Sequence, residues 1–339
     1  MKAYQIGAQT GLGSLTRTDV PDPIAGPGEV VLRVNAVCLN HRDLLILTGA
    51  YGPRKPEDRI PVSDGVGEVI SVGDGVTNVS VGDRVVAPHF ARWIDGAFSQ
   101  SVFATDLGVT RNGWLAEQIV VPAAALVKVP DTLSDEQVAS LPAAGVTTWN
   151  ALITVGKVKA GDVVLALGTG GVSIFALQIA KMFGARVAIT SSSDEKLALA
   201  RQLGADITIN YRTTPDWPAA LMAATDGAGA DIIVETGGQS SLDQSMMAAA
   251  ANARIVLIGA MAGAPREGLK NFQGVIGKNL LLKGITSGSR EMLVALIRAV
   301  EEGGIEPVID KVFAFDDAPA AYAYLNSGAH LGKVMIKIR

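Results

Sequence analysis

Between residues 148 and 287 six short apolar runs alternate with alanine-rich segments of helical spacing, and no other feature of the chain restricts its fold so severely. The runs are VVLAL (163–167), RVAIT (186–190), ITIN (207–210), IIVE (232–235), RIVLIG (254–259) and NLLLKGI (279–285). Strands this apolar must be covered on both faces, and parallel neighbours need a crossover long enough for a helix. The pattern predicts an α/β region with a doubly wound parallel sheet. Before it, to about Pro130, the runs EVVLRVNAV, GEVISVG, DRVVAPHF and WLAEQIVVPAAALVKVP are cut by Gly, Pro and Asp, which predicts a mainly β domain with irregular loops. The tail offers a helix, REMLVALIRAVEEG, and a last strand, KVMIKI, that read as a return to the first domain. One long excursion, about Pro88 to Gly113, contains Phe90, Trp93 and Phe98; loops of that length serve as lids or as mobile linkers.

Composition narrows the partners. With 29 Lys and Arg against 33 Asp and Glu in 339 residues the formal charge is -4, too balanced to hold a nucleic-acid backbone or an acidic membrane. The 48% of apolar residues suffice for a core in each of two domains. Cys38 is the only cysteine, so an internal disulfide, a structural zinc cluster and an iron-sulfur centre are all out of reach of one chain. No run approaches the ~20 apolar residues of a membrane span, and MKAYQIGAQT lacks a signal core. The expectation is a soluble, cytoplasmic protein.

The first strand of the predicted sheet runs into Leu167-Gly168-Thr169-Gly170-Gly171-Val172-Ser173, and IFALQIAKMFGA follows with helical spacing. A glycine corner between strand and helix lets backbone approach a pyrophosphate, while the helix N-terminus supplies free N–H groups and partial positive charge. Gly168 and Gly170 fill two glycine places of G-x-G-x-x-G; Ser173 takes the third, which would hold the helix slightly further from the sheet. The second strand ends in Ser191-Ser192-Ser193 rather than the carboxylate that binds ribose hydroxyls in NAD enzymes. Hydroxyl donors followed by Lys196 suit a 2'-phosphate, so NADP is the expected cofactor. Asp194 reads as a cap for the next helix, and Lys196 has the alternative of a solvated helix residue. Tyr211, after the third strand, either covers the adenine or packs on its own sheet. Gly237, Gly259, Ala260 and Met261 end later strands on the side where a dinucleotide lies.

Taken together, GPGEVVLRVNAVCLNHRDLLILTGAY, SDGVGEVISVGDGVTNVSVGDRVV, SLPAAGVTTWNAL, the glycine-rich segment through QLGAD and the closing HLGKVMIKI resemble the medium-chain dehydrogenases/reductases, in particular their zinc-free quinone oxidoreductase and enoyl reductase branch. The resemblance implies a GroES-like, mainly β catalytic domain from residues 1–147 and 288–339, a Rossmann domain from 148–287, a cofactor cleft separating them, and homodimers that pair sheet edges through NLLLKGI. It places Asn40, Ser63 and Ala143 where zinc-dependent relatives carry Cys, His and Cys. An amide, a hydroxyl and a methyl cannot make the N/S site zinc needs, and Cys38, two residues before the first place, reads as a small buried hydrophobe.

Without a metal to stabilise an alkoxide, a C=C conjugated to a carbonyl is the better hydride acceptor. The leading expectation is NADPH-dependent reduction of an enone or quinone. An alcohol or aldehyde dehydrogenase working without zinc, and a low-turnover NADPH-binding protein, are the rivals. The resemblance implies roles for particular residues. Asn40 would donate to the nicotinamide ribose or the substrate oxygen, or else cap a turn. His41 lies by the pyrophosphate or simply on the surface, with Arg42 a second basic donor. Asp43 orients its neighbours and is expected to stay ionised amid Arg42 and His41. Tyr51 would protonate the enolate or bind the acceptor oxygen, or pack in its loop. Thr147 would lie near the nicotinamide, Ser287 to Arg290 would close over it, and Lys333 would reach the pyrophosphate.

Overall fold

The computed structural model describes residues 1–259 and 272–339. The chain divides into two compact units. The first comprises Met1–Val146, Gly288–Gly303 and Pro307–Arg339, and the second Thr147–Ser287 with Gly304–Glu306.

In the first unit β1 (Lys2–Gln5) and β2 (Thr16–Asp19) form a small antiparallel ribbon, and β3 (Glu29–Leu39), β4 (Asp64–Val72), β5 (Arg84–Val86), β6 (Gln118–Pro122) and β7 (Val127–Lys128) contribute to a larger sheet. β3 is its backbone: eleven residues, nine of them buried, paired antiparallel with both β4 and β6. Alternation along β3 is lost because both faces are covered, and Leu32, Val34, Val37 and Leu39 join one apolar core with Ile46, Leu47, Trp114 and Tyr322.

The second unit holds β8 (Val163–Leu167), β9 (Arg186–Ser191), β10 (Ile207–Asn210), β11 (Ala230–Glu235), β12 (Ala249–Leu257) and β13 (Leu281–Gly284). All pairs are parallel, in the order β10-β9-β8-β11-β12-β13. The direction of winding therefore reverses beside β8, which is where open sheets of this kind take ligands, outside the carboxyl ends of the strands. β8 is buried throughout, as a central parallel strand must be. β12 starts at Ala249, five residues before the apolar run RIVLIG, and its register against β11 shifts near Ala230. β13 forms an edge, and its Leu281 is exposed.

The tail returns to the first sheet as β14 (Ile309–Ala314) and β15 (Lys333–Lys337), with β15 antiparallel to β3. Sequence reasoning found β15 but not β14, whose residues are mostly exposed on the sheet edge and so lack the apolar pattern of a covered strand.

The excursion after β5 is a packed substructure rather than a linker. Phe90, Trp93 and Val102 are buried together, Phe98 meets Trp93 at 5.6 Å and Phe103 at 5.8 Å in edge-on geometry, and Phe90 bridges to Asp106. The backbone of Trp93 and Ile94 also accepts the N–H groups of Arg290 and Glu291, the opening residues of the helix Arg290–Glu301.

Candidate functional site

In the second unit, Gly168 leaves β8 with φ 79°, a conformation that favours glycine. A Cβ on Gly168 or Gly170 would meet no atom of the described residues within 4 Å. Gly170 also has ordinary extended angles, so none of the described residues demands glycine there; the bare backbone leaves room for a ligand to approach. The helix Gly171–Met182 begins at this point without a side-chain cap, and its first N–H groups lack intrahelical partners, as at any helix start. Gly168, Gly170, Gly171 and Val172 are all half-buried and reachable. Ser173 is buried and donates to Leu167 O at 2.6 Å. The hydroxyl at the third glycine place thus ties the helix start to the strand end.

At the end of β9, Ser191 Oγ accepts from the Ser193 N–H (3.3 Å) and Ser193 Oγ accepts from the Lys196 N–H (3.3 Å). Ser193 is therefore the cap of the helix Asp194–Gln202. Asp194, expected in that role, is the first helical residue, and its carboxylate accepts from Asn210 Nδ2 at 2.8 Å. Ser192 and Lys196 are half-buried on the same turn. Tyr211 donates its N–H to Ser191 O (3.0 Å) and is 43% exposed, so it does not pack into its own sheet. Three serines, Lys196 and Tyr211 thus stand at or just beyond the carboxyl ends of β9 and β10.

Two further groups complete this side. A Cβ on Gly259 would lie 1.9 Å from Thr236 O; the close approach of the chains after β11 and β12 requires glycine. Gly237 sits in a turn organised by Glu235, which sequence reasoning missed. Fully buried, Glu235 accepts at Oε1 from the N–H groups of Gly237 (2.8 Å) and Gly238 (3.0 Å) and from Ser241 Oγ (2.6 Å), and at Oε2 from Ser245 Oγ. A lone carboxylate closing an apolar strand, as in IIVE, is the signal that could have found it, since a buried carboxylate must find donors. Ser287 has φ 66° and is buried, and its Oγ has no hydrogen-bond partner among the described residues. Asn150, also missed, donates to Ser287 O at 2.6 Å and fixes that conformation. Thr147 is buried at the start of the unit. Ala260 and Met261 lie outside the described residues.

The first unit contains a buried polar pit centred on Asp64. Asp64 Oδ2 accepts from Asn40 Nδ2 (3.0 Å) and from the Ala143 N–H (2.9 Å), and Oδ1 accepts from Ser63 Oγ (2.7 Å). The π-helical turn Leu141–Gly145 directs that Ala143 N–H out of the helix. Ser63 follows Val62, a buried β-branched residue held at φ 73°, where only strain compensated by its surroundings can keep it. The pit thus joins Asn40, Ser63 and Ala143, the three residues that the family resemblance sets at the zinc-ligand places, around one carboxylate. Burial raises the pKa of Asp64 from its ordinary value, against the pull of Lys333, Ser63, Asn40 and Ala143.

Several expected roles change here. Asn40 cannot offer its amide protons outward, because Nδ2 donates to Asp64 and to Cys38 O (3.4 Å) while Oδ1 accepts from Lys333 Nζ at 2.5 Å. Lys333, expected to reach a pyrophosphate, is 4% exposed and gives its ammonium to Asn40 and to Leu39 O (3.0 Å). Asp43, expected to stay ionised, is fully buried, and burial pushes its carboxyl up to about 7. The reason lies in Arg42, whose guanidinium donates to Asp106 Oδ1 at 2.7 Å rather than to Asp43. Asp43 Oδ2 accepts the Asn40 N–H (2.7 Å), and Oδ1 has no partner among the described residues. Cys38 is buried, its thiol pushed up to about 12 by burial. His41 is exposed and takes no part in the pit. Tyr51 is half-buried beside Arg42, whose Cζ lies 4.9 Å from the ring centroid.

Residues 171–302 match the family described as zinc-binding dehydrogenase, and residues 26–131 match the alcohol dehydrogenase GroES-like domain. The chain is 42% identical over 327 residues to a zinc-type alcohol dehydrogenase-like protein of Schizosaccharomyces pombe, covering 94% of this chain and 93% of that one. It is 28% identical over 328 residues to an acryloyl-coenzyme A reductase of Sulfurisphaera tokodaii, covering 94% and 95%. The crystal structure of an NAD-dependent alcohol dehydrogenase matches with a TM-score of 0.91 at 35% identity, covering 100% of both chains.

These similarities imply a dinucleotide and a zinc ion. The second unit fits the dinucleotide: an open, glycine-lined helix start, a hydroxyl-rich strand end and a Ser287 hydroxyl with no partner among the described residues. The first unit does not fit zinc. At the three ligand places stand an amide and a hydroxyl engaged with Asp64 and a methyl group, and the nearby thiol is held protonated.

Proposed function

The chain belongs to the medium-chain dehydrogenase/reductase superfamily, and from that premise we propose that this oxidoreductase uses NADPH, without zinc, to reduce a C=C conjugated to a carbonyl or a quinone. One observation carries the reading: the residues at the zinc-ligand places bond to Asp64 and offer no N/S donor set. An alcohol substrate would then lack a Lewis acid for its alkoxide, whereas an enone brings its own electron-withdrawing group. Similarity to an acryloyl-coenzyme A reductase, whose name describes such an acceptor, supports it.

When bound, the dinucleotide would supply the hydride. The chain's part is to hold and orient. The N–H groups at the start of the helix Gly171–Met182 would bind the pyrophosphate, Ser191, Ser192, Ser193 and Lys196 the 2'-phosphate, Tyr211 the adenine side, and Ser287 a polar edge of the nucleotide. Tyr51, the half-buried phenol, would deliver a proton to the substrate carbanion. The exposed edge at β13 is where a homodimer would pair.

The names of the S. pombe relative and of the NAD-dependent structure favour a second reading, alcohol oxidation. After exhaustive chelation, NADPH consumption across a panel of enones and quinones should far exceed NADP reduction by simple alcohols; efficient alcohol oxidation, or recovery of rate only with stoichiometric zinc, would overturn the proposal. Tight NADPH binding with no turnover on any acceptor would point to a binding protein instead.

Cofactor choice has its own test. A charge-assisted contact is worth about 1.5 to 3 kcal/mol, so Lys196→Ala should weaken NADPH binding by about ten- to a hundredfold and leave NADH nearly unchanged. Equal weakening of both, in fluorescence titrations, would show that Lys196 does not read the 2'-phosphate.

A further inference from the structure

Arg42 stands in the first turn of the helix His41–Leu47, next to an acid, Asp43, yet its guanidinium reaches across to the excursion. Arg42 Nη2 and Asp106 Oδ1 are 2.7 Å apart, with side chains only 10% and 2% exposed. Asp106 is held in turn by its own backbone: its N–H donates to Thr110 Oγ1 (2.9 Å) and its carbonyl accepts the N–H groups of Thr110 and Arg111. The guanidinium carbon lies 4.9 Å from the Tyr51 ring centroid. The remaining Arg42 nitrogens, Nε and Nη1, are buried without a hydrogen-bond partner among the described residues, so the electron-rich ring is the acceptor the geometry offers them. A second cation, Lys55 Nζ, lies 5.3 Å from the same centroid and donates to the carbonyls of Tyr51 and Pro53. A staple for the excursion would need only Arg42 and Asp106; it would not need two cations within reach of one phenol.

We propose that Arg42, fixed by Asp106, is a positioning residue that holds the Tyr51 phenol at the angle and charge needed to hand its proton to substrate. This rests on the reading of Tyr51 as proton donor. The β-carbon would take the hydride that bound NADPH supplies, NADPH leaving as NADP, and the C=C electron pair would move onto the carbonyl as an enolate. The Tyr51 O–H bond then breaks, its proton bonds to the α-carbon, and the phenolate left beside Arg42 is reprotonated by water.

The groups that face Tyr51 are Arg42 and Asp43 from the helix, Lys55 from its own loop and Asp106 from the excursion. Burial holds the phenol above its ordinary pKa, Arg42 pulls it down, and Asp106 and Asp43 push it up. The two partners of the pair therefore act on the phenol with opposite sign.

The test is an absorbance titration of tyrosinate in the cofactor-free chain. The chain has five tyrosines, and subtraction of Tyr51→Phe isolates the one in question. Arg42→Met should move the Tyr51 titration to higher pH and Asp106→Asn to lower pH, while both reduce kcat for enone reduction about ten- to a hundredfold with KM changed by less than about threefold. A structural staple carries the same two charges, so the loss of kcat at nearly constant KM separates the readings: unchanged kcat in a folded variant, or titrations that fail to shift in opposite directions, overturns the proposal. If Arg42→Met leaves Asp106 uncompensated and does not fold, the Asp106→Asn titration decides alone, an unchanged or upward shift counting against. Full activity in Tyr51→Phe would instead defeat the donor reading, a failure distinguishable from the first because the titration does not depend on turnover.

Discussion

Asp64→Ala should lower the stability of the first unit by about 3 to 5 kcal/mol, the usual loss when one member of a buried charge system is removed. Asp64 is fully buried and accepts three hydrogen bonds. Its counter-charge reaches it through an amide: Lys333 Nζ donates to Asn40 Oδ1, and Asn40 Nδ2 donates to Asp64. Alanine would strand donors from Ser63, Asn40 and Ala143 and leave the ammonium of Lys333, 4% exposed, without its anion. Asp64→Asn keeps the shape and one acceptor, so a smaller loss of about 1 to 3 kcal/mol is expected. Pairing Asp64→Ala with Lys333→Met removes both charges, and the double variant should lose at least about 1 kcal/mol less than the sum of the singles. Denaturation followed by Trp114 fluorescence would report this locally, since that indole packs directly on Gly65, the residue after Asp64. An Asp64→Ala chain within about 1 kcal/mol of the parent would mean that the pit behaves like a solvated pair.

What could be read from the sequence divides along the distance over which residues act. The strand β8, its glycine corner and the following helix are consecutive, so apolar run, turn chemistry and helix start are visible in one window. The serine-rich end of β9 is local too, and only the identity of the cap shifted, from Asp194 to Ser193. The pit is different. Ala143 meets Asp64 across 79 positions and Lys333 meets Asn40 across 293, and no local pattern reports such pairs. The resemblance to a known family brought Asn40, Ser63 and Ala143 together, but not the carboxylate they surround. Asp43 shows the limit most clearly. Its sequence neighbour Arg42 argued for a permanent charge, whereas folding sends that guanidinium to Asp106, 64 positions away, and leaves the carboxyl buried. The excursion read as a lid or linker because of its length; its aromatic residues pack through a cluster rather than along an element, which no periodicity reports.

Asp43→Asn is expected to stabilise the protein at pH 8 by a few kcal/mol and to leave it nearly unchanged at pH 4. In the unfolded chain the carboxyl titrates near 3.9; in the native state burial raises it to about 7, opposed by Arg42 and the Asn40 N–H, reinforced by Asp64 and opposed again by Lys333. Between these values the native state holds a proton that the unfolded state has lost, so stability falls as pH rises through the window and levels off above it. Asparagine accepts the same N–H from Asn40 through its Oδ1 but cannot ionise, so the variant should lack this slope. The parent's own pH curve is not diagnostic. His89, 5% exposed and facing the charge of Arg42, is held well below its ordinary pKa by burial, and it removes stability as pH falls below about 6.5. The two slopes oppose each other over much of the range, but His89 is present in both chains and cancels in the difference. Denaturation midpoints of variant and parent from pH 4 to 8.5 should therefore diverge steadily and then run parallel above about pH 7. A difference that stays constant across the range would mean that Asp43 titrates as an ordinary carboxylate, with water reaching its Oδ1.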